Sequence, residues 1–169
     1  LKTIMKEKNT KICLAADVYN IQELFNLINQ VGNDICILKL HSDIIDNFYD
    51  NYNENIKILI ELKEKYNFKI WEDRKLADIG SVMMRQISKL SKWADIVSIL
   101  PISGEKCIEK ITNMELILIL EMSSEGHLMN DEYQKNVLKI AENNNVLGVV
   151  CQHKISDKLM HFVPGISLN

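Results

Sequence analysis

Residues 72–80 read Glu-Asp-Arg-Lys-Leu-Ala-Asp-Ile-Gly, and three of them, Asp73, Lys75 and Asp78, have the types and spacing of an acid–base–acid site. The stretch follows an extended apolar run (Phe68, Ile70, Trp71) and leads into an amphipathic segment. Side chains alternate along a strand, so Asp73 and Lys75 are expected to share a face. Asp78 comes three residues later, close enough to return to the same site from a loop. An ammonium held between carboxylates in a water-poor pocket is suited to stabilising negative charge that develops on a carbon atom. The plainer alternative is a solvated ion-pair network at the start of a helix.

Such a cluster needs elements to position it, and short apolar runs alternate with helical periodicity along most of the chain. Expected strands are 12–17, 35–39, 68–73, 96–100, 116–122, 147–152 and 162–166. Leu116–Leu120 is an unbroken apolar run of the kind required by a strand buried on both faces. Helical spacing recurs at Leu24, Leu27, Ile28 and Val31, and again at Ile56, Leu59, Ile60 and Lys63. It returns at Met83, Ile87 and Leu90, and at Tyr133, Val137, Ile140 and Ala141, where Asn130 or Asp131 is a candidate cap. Strand–helix alternation implies βαβ units around a parallel sheet. No GxGxxG or P-loop is present, which argues against a nucleotide-binding doubly wound sheet.

Polar residues instead recur at successive strand ends: Asp17, Lys39 with His41, Asp73 with Lys75, Ser98, then Ser123 with Ser124. In a (β/α)8 barrel those ends converge on one mouth. The expectation is a single TIM-barrel-type domain over 1–169. It would be incomplete, with about seven strands where a closed barrel has eight and typically ~250 residues.

Composition narrows the classes. A net charge of −3 gives no general nucleic-acid surface, and no run approaches a membrane span or a signal peptide. The four cysteines (Cys13, Cys36, Cys107, Cys151) have no CxxC or zinc spacing, which points to a reducing, cytoplasmic setting and no metal. His127, His153 and His161 also lack metal spacing. The chain opens at Leu1 rather than Met, as expected of one processed or cut from something longer.

Several pieces in order resemble the orotidine 5′-phosphate decarboxylase family, particularly the decarboxylase half of eukaryotic UMP synthases. They are Cys13-Leu14-Ala15-Ala16-Asp17-Val18, Ile35 through Ile44, Glu72 through Gly80, Trp93-Ala94-Asp95-Ile96-Val97, Glu121 through Gly126, and Pro164-Gly165. The resemblance implies a ribulose-phosphate-binding barrel, a homodimer without cofactor, and loss of CO2 from orotidine 5′-phosphate to leave UMP. It implies that Asp73 lies near the departing CO2 and that Lys75 stabilises and protonates the C6 carbanion. Asp78 would serve the partner subunit's active site. Asp17 and Lys39 would contact ribose hydroxyls, with Lys39 extending the catalytic charge network. His41 and Pro164 fall at substrate-binding positions, and Ser123 at the residue that reads the pyrimidine edge. His41 is equally readable as a hydrogen-bonded structural histidine, and Ser123 as the cap of a turn.

The match departs from the family at Leu40, Val82 and Ser98-Ile99-Leu100, where threonine, threonine and Asn-x-His are expected. Past Pro164-Gly165 the family continues with a phosphate loop, an eighth strand and a Gly-Arg-Gly turn, so the expectation is a chain lacking its last β/α unit. Two alternatives follow: a catalytically degenerate homologue with a structural or interaction role, and a sugar-phosphate decarboxylase or isomerase of the same superfamily.

Overall fold

A computed structural model describes residues 1–144 and 146–165. The strands are β1 (Cys13–Ala15), β2 (Ile37–Leu40), β3 (Lys69–Leu76), β4 (Ile96–Ile99), β5 (Glu115–Ile119), β6 (Gly148–Val150) and β7 (Met160–Phe162). They follow chain order in the sheet. The helices are α1 (Lys2–Glu7), α2 (Ile21–Val31), α3 (Tyr52–Tyr66), α4 (Gly80–Leu90) and α5 (Asp131–Asn143). The chain forms two compact units, Leu1–Asp73 with Leu90–Ile96, and Arg74–Lys89 with Val97–Asn169.

In the first unit β1, β2 and β3 pair in parallel, in a register that sets Ala15 beside Lys39 and Lys39 beside Trp71. Three of the four residues of β2 are buried, with Lys39 the exception. Helix α2 starts where its sequence says it should. The Asn20 side chain accepts from Glu23 N–H, and the Glu23 carboxylate accepts from Tyr19 N–H, a reciprocal cap written in the Asn-x-x-Glu spacing. Helix α3 ends at Asn67, whose left-handed backbone (φ 51°) lets its N–H return to Lys63 O. Leu24, Ile28 and Leu59 on the helices and Leu38 and Ile70 on the strands are all nearly inaccessible. Asp95 closes the amino end of β3, accepting from Ile70 N–H at 2.8 Å while pairing with Lys63 at 3.0 Å.

Lys8 secures the start of the chain. Its ammonium donates to the carbonyls of Gly32 (2.7 Å), Ile35 (2.6 Å), Tyr66 (2.6 Å) and Asn67 (3.2 Å). Three of these, Gly32, Tyr66 and Asn67, belong to the ends of α2 and α3, where carbonyls lack intrahelical partners and the helix dipole favours a cation.

In the second unit β5, β6 and β7 pair in parallel, with Ile117 beside Gly148 and Gly148 beside Met160. A Cβ at Gly148 would fall 2.3 Å from Met160 O, so the strand approach requires glycine. Asn130 is the cap of α5, accepting from Tyr133 N–H. Tyr133 then donates its hydroxyl to Ile119 O at 2.8 Å, joining the helix to β5. Burial raises that phenol to about 12.

The strands differ from expectation at their ends. β3 runs on through Leu76, because Leu76 is buried and its carbonyl accepts from Leu100 N–H at 2.8 Å. β7 is Met160–Phe162 rather than 162–166, since Pro164 brings no N–H to extend a ladder; Ile166 lies outside the described residues. Between β4 and β5 the described chain makes two 3-10 turns, Pro101–Ser103 and Glu105–Cys107.

Replacing Lys8 with Met should cost about 2 kcal/mol by stripping four carbonyls of a charged donor. Thermal denaturation should show this as a fall of about 4–8 °C.

Candidate active site

Four sequence-identified residues form one network in the first unit. Lys39, on β2, places its ammonium 3.5 Å from the Asp73 carboxylate and 3.8 Å from that of Asp17. His41, just past β2, brings Nε2 to 3.4 Å from Asp73 and 3.5 Å from Lys39 Nζ. The parallel register generates this meeting, because the carboxyl ends of β1, β2 and β3 lie side by side. Burial ranks the contacts. The Asp73 side chain is 8% exposed and that of Lys39 17%, whereas Asp17 is 57% exposed. The Lys39–Asp73 pair therefore acts in a low-dielectric setting and Asp17 in a largely aqueous one. The thiol of Cys13 is pushed up to about 12, chiefly by burial, with Lys39 opposing and Cys36 and Asp73 reinforcing, so it stays protonated and unreactive.

Sequence reasoning overlooked the layer behind this network. Glu72 is fully buried. Its carboxylate accepts from Ser42 N–H at 3.1 Å and from the Ser42 hydroxyl at 2.8 Å, and that hydroxyl lies 2.7 Å from Tyr49 Oη. The strand end that carries Lys39 and His41 is thus tied to β3 by a side chain of β3. A glutamate beside Trp71 inside a buried strand was the available signal, since a buried carboxylate must have donors. Leu40 is fully buried, and alternation sets it on the face opposite Lys39, so this departure from the family pattern lies in the core.

In the second unit Lys75 lies near the end of β3, with φ at 47°. The other non-glycine residues with positive φ (Asn9, Asn47, Asn67) are all asparagines, which tolerate that region. A long side chain there costs about 1–2 kcal/mol. The aim of Lys75 is therefore set by a left-handed turn of the backbone, where simple alternation was expected. Its N–H donates to Ser98 Oγ at 2.9 Å, and Ser98 is fully buried.

Asp78 is exposed in the β3–α4 loop and accepts from Ile79 N–H at 2.7 Å. The loop is held by Ser103, which donates its hydroxyl to Ala77 O at 2.7 Å. Ser123 is exposed after β5, and Pro164 is exposed after β7. Glu121, which precedes the Ser123 loop and is 7% exposed, accepts from Gln152 N–H at 2.7 Å and so clasps the ends of β5 and β6. Among the described residues, no group of three or more His, Cys, Asp or Glu side chains is placed to hold a metal ion. No described helix is long and apolar enough to cross a membrane.

Comparison with known proteins bears on what these strand ends do. The family described as orotidine 5′-phosphate decarboxylase / HUMPS matches residues 10–169. The chain belongs to this family. It is 35% identical over 189 residues to orotidine 5′-phosphate decarboxylase of Saccharomycopsis fibuligera, covering 100% of this chain and 71% of that protein. It is 36% identical over 187 residues to uridine 5′-monophosphate synthase of Naegleria gruberi, covering 98% of this chain and 37% of that protein. Among solved structures, orotidine 5′-phosphate decarboxylase from Pyrococcus horikoshii OT3 superposes with a TM-score of 0.74 at 22% identity, covering 94% of this chain and 80% of that one. The Methanocaldococcus jannaschii enzyme, in complex with the inhibitor BMP, gives 0.70 at 21% identity, covering 84% and 67%. The fold is thus of the TIM-barrel type, with seven of its strands described.

Ser42→Ala removes the hydroxyl between Glu72 and Tyr49. It should cost about 1–2 kcal/mol. Urea denaturation should show a lower midpoint with an unchanged slope.

Proposed function

We propose that the protein decarboxylates orotidine 5′-phosphate to UMP. The observation that carries this reading is the family match over residues 10–169, within which the Lys39–Asp73–His41 network, centred on the buried Asp73, occupies the strand ends. In the proposed reaction the bond between C6 and the carboxylate carbon breaks heterolytically. Its electron pair stays on C6 and CO2 departs. The Lys75 ammonium stabilises that pair, then transfers a proton to C6, and is reprotonated from solvent. A preorganised cation in a site of restricted water stabilises developing charge without reorganising at the moment of reaction, so the reading invokes no cofactor or metal.

Asp73, fixed by Lys39 and His41, takes the place beside the substrate carboxylate, where the repulsion it imposes is relieved as neutral CO2 leaves. Asp17 and Lys39 bind ribose hydroxyls, Ser123 reads the pyrimidine edge, and His41 and Pro164 complete the substrate contacts. Asp78 serves the pocket of a second copy in a homodimer. Its sequence neighbours support that role: Ile79 is 63% exposed and Val82 37%, exposed apolar side chains following a carboxylate. Four free cysteines fit a reducing compartment, and the cytoplasm is the proposed location.

The test is CO2 release from orotidine 5′-phosphate by the protein of the full reading frame. Lys75→Ala should lower kcat/KM by at least about a thousandfold. No turnover by wild-type protein, with no binding of UMP, would sink the decarboxylase reading and favour a degenerate homologue. Turnover of a sugar phosphate instead would favour the related superfamily activity. The shared site has its own test. Lys75→Ala and Asp78→Asn subunits, each nearly inactive, should recover about one quarter of wild-type activity when mixed, because half the dimers regain one intact site. Absence of recovery in verified heterodimers would rule out the exchange of Asp78.

A further inference from the structure

We propose that Ser98 is a positioning residue for Lys75, acting through the Lys75 backbone rather than its ammonium. The inference rests on the decarboxylase reading for its consequence in turnover and on geometry for its substance. Both residues lie in the second unit. Three observations combine. Lys75 is the only lysine among the described non-glycine residues with positive φ, at 47°. Its N–H donates to Ser98 Oγ at 2.9 Å, so a side chain on β4 accepts an amide that belongs to β3. Ser98 is fully buried, in a strand whose every residue is buried.

A left-handed backbone persists at such a residue only where its surroundings over-determine it. Here the clamp is made of two adjacent bonds. Ser98 Oγ accepts from Lys75 N–H, and Leu76 O accepts from Leu100 N–H at 2.8 Å. Residues 75 and 76 are thereby held to β4 from both sides of the intervening peptide. The hydroxyl is suited to the task because it can rotate to meet an amide displaced from regular ladder geometry. A partly buried Lys75 N–H deprived of the Ser98 hydroxyl would favour a backbone change that found it another acceptor. Such a change would re-aim the side chain that starts from the same Cα. Ser98 would thus govern where the ammonium sits through the backbone that carries it.

The experiment compares Ser98→Ala and Ser98→Thr with wild type in the full chain. Ser98→Ala should lower kcat about a hundredfold, as expected for misplacing a reacting group by about 1 Å. KM and UMP affinity should stay within about threefold of wild type, because the lost interaction serves the chemical step. Ser98→Thr, which keeps the hydroxyl, should restore kcat to within about fivefold. A crystal structure of Ser98→Ala should show Lys75 outside the left-handed region. A folded Ser98→Ala with wild-type kcat, or with Lys75 still left-handed, overturns the proposal, as does a Thr variant that folds without rescue.

Amide hydrogen exchange of wild type adds a readout independent of variant folding. The Lys75 amide should exchange slowly, and exchange at the rate of exposed loop amides overturns the proposal. If wild type does not release CO2 from orotidine 5′-phosphate, the decarboxylase reading fails, and the backbone conformation and amide exchange still decide the role of Ser98.

Discussion

A buried amide must find an acceptor, and at the carboxyl ends of these strands the acceptors are side chains. Regular pairing gives out where the chain turns away toward a helix or loop, and the backbone there is buried at Ser42 and partly buried at Lys75. Glu72 takes Ser42 N–H, Ser98 takes Lys75 N–H, and Glu121 takes Gln152 N–H. Each of these acceptors is less than one-tenth exposed. Each also belongs to a strand, or to the residues just after it, and reaches across to a neighbour. Lys39, Asp73 and Lys75 stand on strand backbone held beside such contacts, whereas Asp78 and Ser123 lie in loops.

This support explains a division of labour within one stretch of sequence. Along residues 72–75, Glu72 faces a neighbouring backbone while Asp73 faces the Lys39 and His41 side chains. Lys75 lies within β3 yet has a left-handed backbone. A charge-rich run that looks uniform on paper therefore contains a structural carboxylate, a desolvated carboxylate and a strained lysine.

Much of the architecture was legible because it rests on periodicity. Leu24 and Ile28, Met83 and Ile87, and Val137 and Ala141 are buried as their helical spacing implied, and Asn130 caps α5. The meeting of Lys39, His41 and Asp73 was legible too, since parallel strands bring their carboxyl ends together. What escaped was non-local or conformational. Nothing in residues 42 and 72 separately says that a serine will meet a glutamate thirty positions away. No glycine or asparagine marks the positive φ at Lys75. Strand ends were misjudged where hydropathy and hydrogen bonding disagree: Leu76 continues β3 beyond a charged run, and β7 ends short of Pro164.

The Lys8 cage has a consequence for how the molecule opens. Helix α1 spans six residues and buries none of them. A helix that short does not persist in water by its own hydrogen bonds. It is held by a lysine one residue beyond its end, whose ammonium is enclosed by four carbonyls of the first unit. Helix and cage thus form one cooperative element, free to detach while Leu24, Ile28 and Leu59 stay packed. The start of the chain belongs to a different rung of local stability from the sheet.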